Sequence, residues 1–248
     1  MEDQAMNIKS LEKFALSASL ALCSTLFSGI ASAAFSVYPI SVTTNQQVGA
    51  QIKIISASKE MDFIKVTVKT IENPGTKEEK ERDLIAGESL VVTPAKFGLS
   101  SGTTRIVRLV NMVPPESEQA YRVYFDPVSS LDEAPNSNDA QKAKIGVNIT
   151  WGALVIVPPV KPVEDISYMP VGRQLVNNGN VHIKLSEVGV CKSSSDNNNC
   201  KWTKDARTVY PGKTLLLQGA EAQSISPEST VKIKYISTIT QTTLERQL

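Results

Sequence analysis

The sequence predicts an all-β chain of two sandwiches, on three observations. Short runs rich in Val, Ile, Thr and Tyr alternate apolar and polar positions, the pattern of pleated, half-buried strands. Turn-forming clusters separate them: Asn73, Pro74 and Gly75; Ser100, Ser101 and Gly102; Val113, Pro114 and Pro115. The pattern stops at Pro158 and Pro159 and begins again beyond a polar connector, Lys161 to Asp165. No long stretch carries a helical period; only Met61 and the Lys77 to Arg82 charge cluster hint at helix, and the cluster reads better as a solvated loop or hairpin rim.

Residues 1–33 read as a secretory signal. Lys9 and Lys13 supply the positive region, an apolar run extends from Phe14 to Ile30, and Ala31, Ser32 and Ala33 form a small-residue cleavage pattern. A membrane anchor is disfavoured by that pattern and by the strand-like sequence after it. A lipoprotein signal ending at Cys23 is disfavoured by Leu22, which stands where a small residue is required. No later segment approaches the roughly 20 apolar residues of a spanning helix, so the expected product is exported and soluble, without stable membrane insertion.

The strands expected in the first domain, residues 34–158, are Phe35 to Val42, Gly49 to Ala57, Phe63 to Ile71, Leu90 to Thr93, Thr103 to Val110 and Gln119 to Phe125. A long strand follows between Lys142 and Pro159. It alternates through Ile145, Val147, Ile149 and Trp151, then runs apolar through Leu154, Val155, Ile156 and Val157 until proline breaks it. This is about twice the usual strand length of five or six residues, leaving room for a second task. The polar segment Leu131 to Gln141 before it reads as a loop. Seven or so such strands fit an immunoglobulin-like sandwich. The second domain, residues 159–248, is expected to use Gln174 to Asn177, Val181 to Val190, Lys201 to Tyr210, Thr214 to Gln218 and Thr230 to Ile239.

The formal charge of +1 gives no basis for attraction to nucleic acid or to an acidic membrane surface. Without Cys23, the cysteines left are Cys191 and Cys200, flanking the polar run Lys192 to Asn199. In an oxidising compartment such a pair implies one disulfide closing a short loop, worth about 2 to 3 kcal/mol. Metal binding is the alternative, but the single histidine, His182, lies in a strand-like stretch and no third and fourth ligands accompany it.

Catalytic motifs are lacking. There is no phosphate-binding glycine loop, no histidine pair at metal spacing and no two-cysteine redox motif. His182 has no nucleophile motif beside it and reads as a half-buried or rim histidine, while Glu116, Glu118, Asp132 and Glu133 read as solvated loop charges. A binding protein without cofactor or metal is therefore expected rather than an enzyme.

With Leu90 to Pro94, then Phe97, Leu99 and Gly102, then Arg105 and Val107 to Leu109, and finally Tyr121 to Phe125, the chain resembles the periplasmic pilus chaperones of the chaperone-usher pathway. The resemblance continues through the long strand and through Val176 to Asn180. The Cys191 to Cys200 loop followed by Tyr210, Pro211, Gly212 and Lys213 is similar to the alternative chaperones of colonisation-factor and common-pilus fimbriae. It implies two immunoglobulin-like domains set at an angle, fimbrial subunits as partners and delivery to an outer-membrane usher. Subunits of this pathway lack their last strand, and the chaperone lends one.

An extended donor with apolar residues at alternate positions would supply backbone hydrogen bonds and fill the groove left open. Ile145, Val147 and Ile149 are the expected plugs, with Trp151 as a fourth. Alternation alone does not separate a donor face from one turned to the chain's own core. Whether the free form pairs with itself to cover the donor edge is left open.

The family implies a subunit carboxylate held by an arginine on the first strand and a lysine near the end of the long strand. Here Phe35 to Val42 contains no arginine and Thr150 to Leu154 no lysine. Arg105, Arg108, Arg122 and Arg173 are the candidates to replace them, each of which also fits an ordinary salt bridge. A secreted pilus subunit or adhesive sandwich protein is the alternative function. It would carry a donor extension at its mature N-terminus, whereas this chain enters directly into a strand.

Overall fold

The computed structural model describes residues 34–85, 88, 90–129, 149–192, 200–218, 225–226 and 229–248. The expected signal, the 131–141 loop, Ile145, Val147 and residues 193–199 lie outside them. Among the described residues there is no helix, and the chain is all-β, as expected.

The first sandwich has a four-stranded sheet in the order β1-β3-β8-β6, from Phe35–Tyr38 (β1), Ala50–Ser56 (β3), Thr104–Asn111 (β8) and Leu90–Thr93 (β6). Against it lies a sheet in the order β2-β10-β9-β4-β5, from Ser41–Thr43 (β2), Trp151–Val157 (β10), Gln119–Val128 (β9), Asp62–Glu72 (β4) and Lys80–Asp83 (β5); Lys96–Leu99 (β7) also pairs with β4. Inward residues share one parity across each ladder. Ile52 and Ile54 of β3 sit beside Val107 and Leu109 of β8, and Tyr121, Val123 and Phe125 of β9 face Val155, Ala153 and Trp151 of β10. All but Trp151 are fully buried, and with Phe35, Ile64 and Leu99 they form the first core.

The expected strand Phe35 to Val42 is broken. Pro39 cannot donate to a ladder, and at that point the chain leaves the first sheet as β1 and enters the second as β2, parallel to β10. Pro94 marks the same kind of change between β6 and β7. The Lys77 to Arg82 cluster contributes β5, a charged edge strand on the rim of the β4–β5 hairpin.

The second sandwich has a sheet of Ile166–Met169 (β11), Gln174–Asn177 (β12) and Thr214–Leu216 (β16). The opposing sheet runs β14-β13-β17-β18, from Cys200–Lys204 (β14), Ile183–Cys191 (β13), Thr230–Ile236 (β17) and Thr243–Gln247 (β18), with Thr208–Val209 (β15) also on β13. Leu175, Ile183, Leu185, Val188 and Ile233 fill its core. Cys191 and Cys200 lie opposite each other in the β13–β14 ladder and form the expected disulfide. Strands β11 and β18 are absent from the expected set, because neither Ile-Ser-Tyr-Met nor Thr-Leu-Glu-Arg-Gln has a clear apolar alternation.

One polar cluster ties the first sandwich's loop at Glu88 to β4 and β5. Arg82 reaches both Glu88 oxygens and Glu72, while Glu88 also accepts from Thr70 Oγ1 (2.9 Å) and Ile85 N–H (2.9 Å). The Arg82 hydrogen bonds hold the Glu88 carboxyl below its ordinary 4.5. A depressed folded value adds stability above 4.5 that is lost as pH falls through it. Glu88→Gln is therefore expected to lower stability at neutral pH and flatten its decline below pH 4.5, read from urea midpoints against pH. Gly49 has φ +70°, and a Cβ there would meet Leu109 O at 2.1 Å. Gly49→Ala is expected to cost about 3 kcal/mol or more in denaturant unfolding.

Candidate functional site

The second half of β10 has two buried faces. Ala153, Val155 and Val157 point into the first core, while Ile156 and Leu154 pack with Ile71, Ala120 and, from the second sandwich, Tyr210. This small apolar seam lies beside a groove of about 330 Å³ between the sandwiches, lined by Ile71, Gly75, Glu79, Arg122, Leu154, Arg207 and Tyr210. Burial pushes the Tyr210 phenol up.

The two sandwiches also meet along polar contacts. Lys213 Nζ donates to Asn73 Oδ1 at 2.8 Å, and a Cβ on Gly75 would come within 3.0 Å of the Tyr210 ring. Glu118 N–H donates to Asn180 O at 2.9 Å, and Asn180 Nδ2 to the carbonyls of Glu116 and Lys161. His182 Nδ1 lies 2.9 and 2.7 Å from the two Glu118 carboxylate oxygens. The Glu118 side chain is 2% exposed, which corrects its reading as a solvated charge. It is buried because it caps the seam from the first sandwich onto the rim histidine of the second.

The edges of β10 differ along its length. On one side β9 pairs with all of it; on the other, parallel β2 reaches only Leu154 to Ile156. Among the described residues, no strand pairs with the outer edge of Trp151, Gly152 and Ala153. Trp151 is half-buried against the first core, and its indole N–H donates to Phe35 O at 3.0 Å. Ile149 is 40% exposed, and Thr150 Oγ1 donates to Asp126 at 2.8 Å.

The arginines are dispersed. Arg105 is exposed near the start of β8, its guanidinium 5.9 Å from the centre of the Phe97 ring. Arg108 is exposed on the outer face of the same strand, opposite Gln51 and Thr93. Arg173 lies in the β11–β12 turn and does not line the groove.

Of the four, Arg122 alone lines the groove. It stands directly opposite Leu154, with Nε 3.3 Å from Glu81 and Nη2 3.8 Å from Glu79. Gly152 makes room for it, since a Cβ there would lie 3.1 Å from Arg122 Cδ and 3.0 Å from the Tyr124 ring. Arg207, across the groove, was not indicated by the sequence. It binds Asp205 through Nε and Nη2 and donates from Nη1 to Leu216 O at 3.0 Å. Nothing local in Asp-Ala-Arg marks it as a groove residue.

No protein-family model matches the chain. The crystal structure of the class 5 fimbriae chaperone CfaA superposes with a TM-score of 0.71 at 30% identity, covering 86% of this chain and 98% of that one. This chain belongs to the fimbrial chaperones of the chaperone-usher pathway. A second solved structure, a chaperone–tip adhesin complex of CFA/I fimbriae, is similar at TM-score 0.68 and 30% identity, over 86% of this chain and 97% of that one. Two Escherichia coli proteins named as fimbrial subunits are also similar. The one of CFA/I fimbriae is 34% identical over 192 residues, 75% of this chain and 80% of its own length. The one of CS1 fimbriae is 36% identical over 192 residues, 75% of this chain and 81% of its own.

In this chaperone the groove therefore combines apolar Leu154 and Tyr210 with Arg122 and Arg207, and the Glu118–His182 pair stands behind it as a strut between sandwiches. Leaving a buried hydrogen-bonding group without its partner costs about 1 to 3 kcal/mol, and His182 keeps 19% of its side-chain surface. Glu118→Gln is expected to leave each sandwich folded and the seam at Tyr210 in place while lowering stability by about 1 to 3 kcal/mol, read from urea midpoints; an unchanged midpoint would contradict the strut.

Proposed function

We propose that this chaperone is exported to the periplasm by residues 1–33 and holds a fimbrial subunit between its first sandwich (34–158) and second (159–248). It lends the subunit the strand that runs into β10 and passes it to an outer-membrane usher. The open outer edge of Trp151 to Ala153 carries this reading. An incoming strand can continue there in the place that β2 occupies further along β10, and the alternating Ile145, Val147 and Ile149 lie immediately upstream. Each plug fully buried in a subunit contributes about 1.5 to 3 kcal/mol. The CFA/I chaperone–tip adhesin complex supports a fimbrial partner of this kind, and the CFA/I and CS1 relatives support a fimbria of the colonisation-factor type.

Trp151, already packed on the first core, sets where the donated stretch ends rather than entering the subunit. Arg122 takes the subunit's terminal carboxylate, exchanging its present carboxylate partners, Glu81 and Glu79, for that group. The names of the two Escherichia coli relatives favour a second reading, a fimbrial subunit. Against it, the place at the edge of β9 where a subunit would lack its last strand is filled here by β10.

Val147→Glu is expected to abolish co-purification of subunit from periplasm while leaving the free chaperone's melting temperature unchanged. Unchanged capture with a destabilised chaperone would place Val147 in the chaperone's own core instead. Arg122→Ala is expected to lower subunit recovery about tenfold or more without unfolding the chaperone, since a charge-assisted pair is lost.

A further inference from the structure

Both guanidiniums of the groove are already held by carboxylates. Arg207 is bound by Asp205, whose side chain is 3% exposed, and Arg122 lies beside Glu81 and Glu79. Two cations therefore meet three anions before any ligand arrives. A further carboxylate adds to this excess of negative charge, so a resident carboxylate has to give way for it to enter.

The three differ in how they are held. Asp205 accepts from the Arg207 guanidinium and from the Arg207 backbone N–H (2.9 Å). Glu79 Oε2 accepts from the Gly75 N–H at 2.7 Å, and its Oε1 stands 3.8 Å from Arg122. Glu81 divides its carboxylate between two side chains: Arg122 Nε–H donates to Oε1 at 3.3 Å, and Tyr124 Oη–H to Oε2 at 2.7 Å. The second bond pushes the Tyr124 phenol up, and it retains Glu81 when Arg122 takes another partner.

The strands explain this placement. Glu81 stands on β5 opposite Ile71 of β4, one residue before Arg82, which is tied to Glu72 and Glu88. Successive strand residues point to opposite faces, so the Arg82 ties fix the backbone from one face and Glu81 projects from the other. On the far side of β4, Arg122 and Tyr124 of β9 both lean over Gly152, where a Cβ would lie 3.1 Å from Arg122 Cδ and 3.0 Å from the Tyr124 ring. They thereby approach the outer edge of Trp151 to Ala153, which is unpaired among the described residues.

We propose that Glu81 is a specificity-determining residue of the groove, an internal carboxylate that occupies Arg122 until the end of a subunit strand replaces it. This rests on the reading of Arg122 as the carboxylate anchor. A small free carboxylate brings only its charge, and it competes with a group held on the same molecule at high effective concentration. A subunit brings the carboxylate together with backbone hydrogen bonds along β10 and apolar plugs, which offset the displacement of Glu81. Glu81 thus lets the groove distinguish the end of a strand from soluble carboxylates.

The test compares the wild-type chaperone with Glu81→Gln, in which an amide oxygen still accepts from Tyr124 while the charge is gone. N-acetyl-leucine is titrated into each and followed by NMR at the Arg122 Nε–H, with N-acetyl-leucine amide as the uncharged control. Glu81→Gln is expected to bind the acid about three- to tenfold more tightly than wild type and the amide no more tightly. Its melting temperature is expected to stay nearly unchanged, because β5 is an exposed edge strand. Equal or weaker binding of the acid by Glu81→Gln, or equal tightening of the amide, overturns the proposal. Arg122→Ala separates this outcome from the anchor itself. Lost subunit recovery in Arg122→Ala without tightening in Glu81→Gln keeps the anchor and removes the competitor, whereas full recovery in Arg122→Ala removes both.

Discussion

The structure depends on the burial of both faces of β10. Ala153, Val155 and Val157 close the first core, and Leu154 and Ile156 cover Ile71, Ala120 and Tyr210 on the opposite side. A strand enclosed on both faces cannot slip by one residue without exchanging a packed set for another of different shape. That fixes the register against β9, brings Tyr210 and with it the second sandwich to a set place, and positions Trp151 on the stretch whose outer edge is unpaired among the described residues. The free edge and the groove are thus two consequences of one packing arrangement.

Around this apolar seam the contacts between sandwiches are polar and specific. Glu118 with His182, Asn180 with the Glu116 and Lys161 carbonyls, and Lys213 with Asn73 each bridge an otherwise costly buried or half-buried group. Such hydrogen bonds add only modestly to net stability, because each replaces hydrogen bonds to water. Their effect is directional. They favour one relative placement of the sandwiches over others that would bury the same apolar area.

The groove shows how a cation can occupy one place from different strands. The long strand offers Leu154 and its parallel neighbour Ser41, neither of which can hold an anion by charge. The charge comes instead from Arg122 on β9, directly across the ladder from Leu154, with Gly152 leaving space for its stem, and from Arg207 on the second sandwich. Because cross-strand neighbours lie about 5 Å apart, moving a charge from one strand to the next displaces it little, while it changes the sequence position entirely.

Much was legible in the chain itself. Alternation set the inward parity of β3, β8 and β9, the Leu154 to Val157 run marked a core-forming stretch before the prolines, and Cys191 and Cys200 paired as expected. These features are local, since side-chain period and chain chemistry repeat within a few residues. Only the tertiary structure sorted the four arginines, buried Glu118 under His182, split Phe35 to Val42 between two sheets at Pro39, and added the charged edge strand β18. Each of those outcomes depends on which distant strand lies alongside. That choice is made by packing between residues far apart in sequence, such as Leu154 with Arg122 or Glu118 with His182, and no local pattern encodes it.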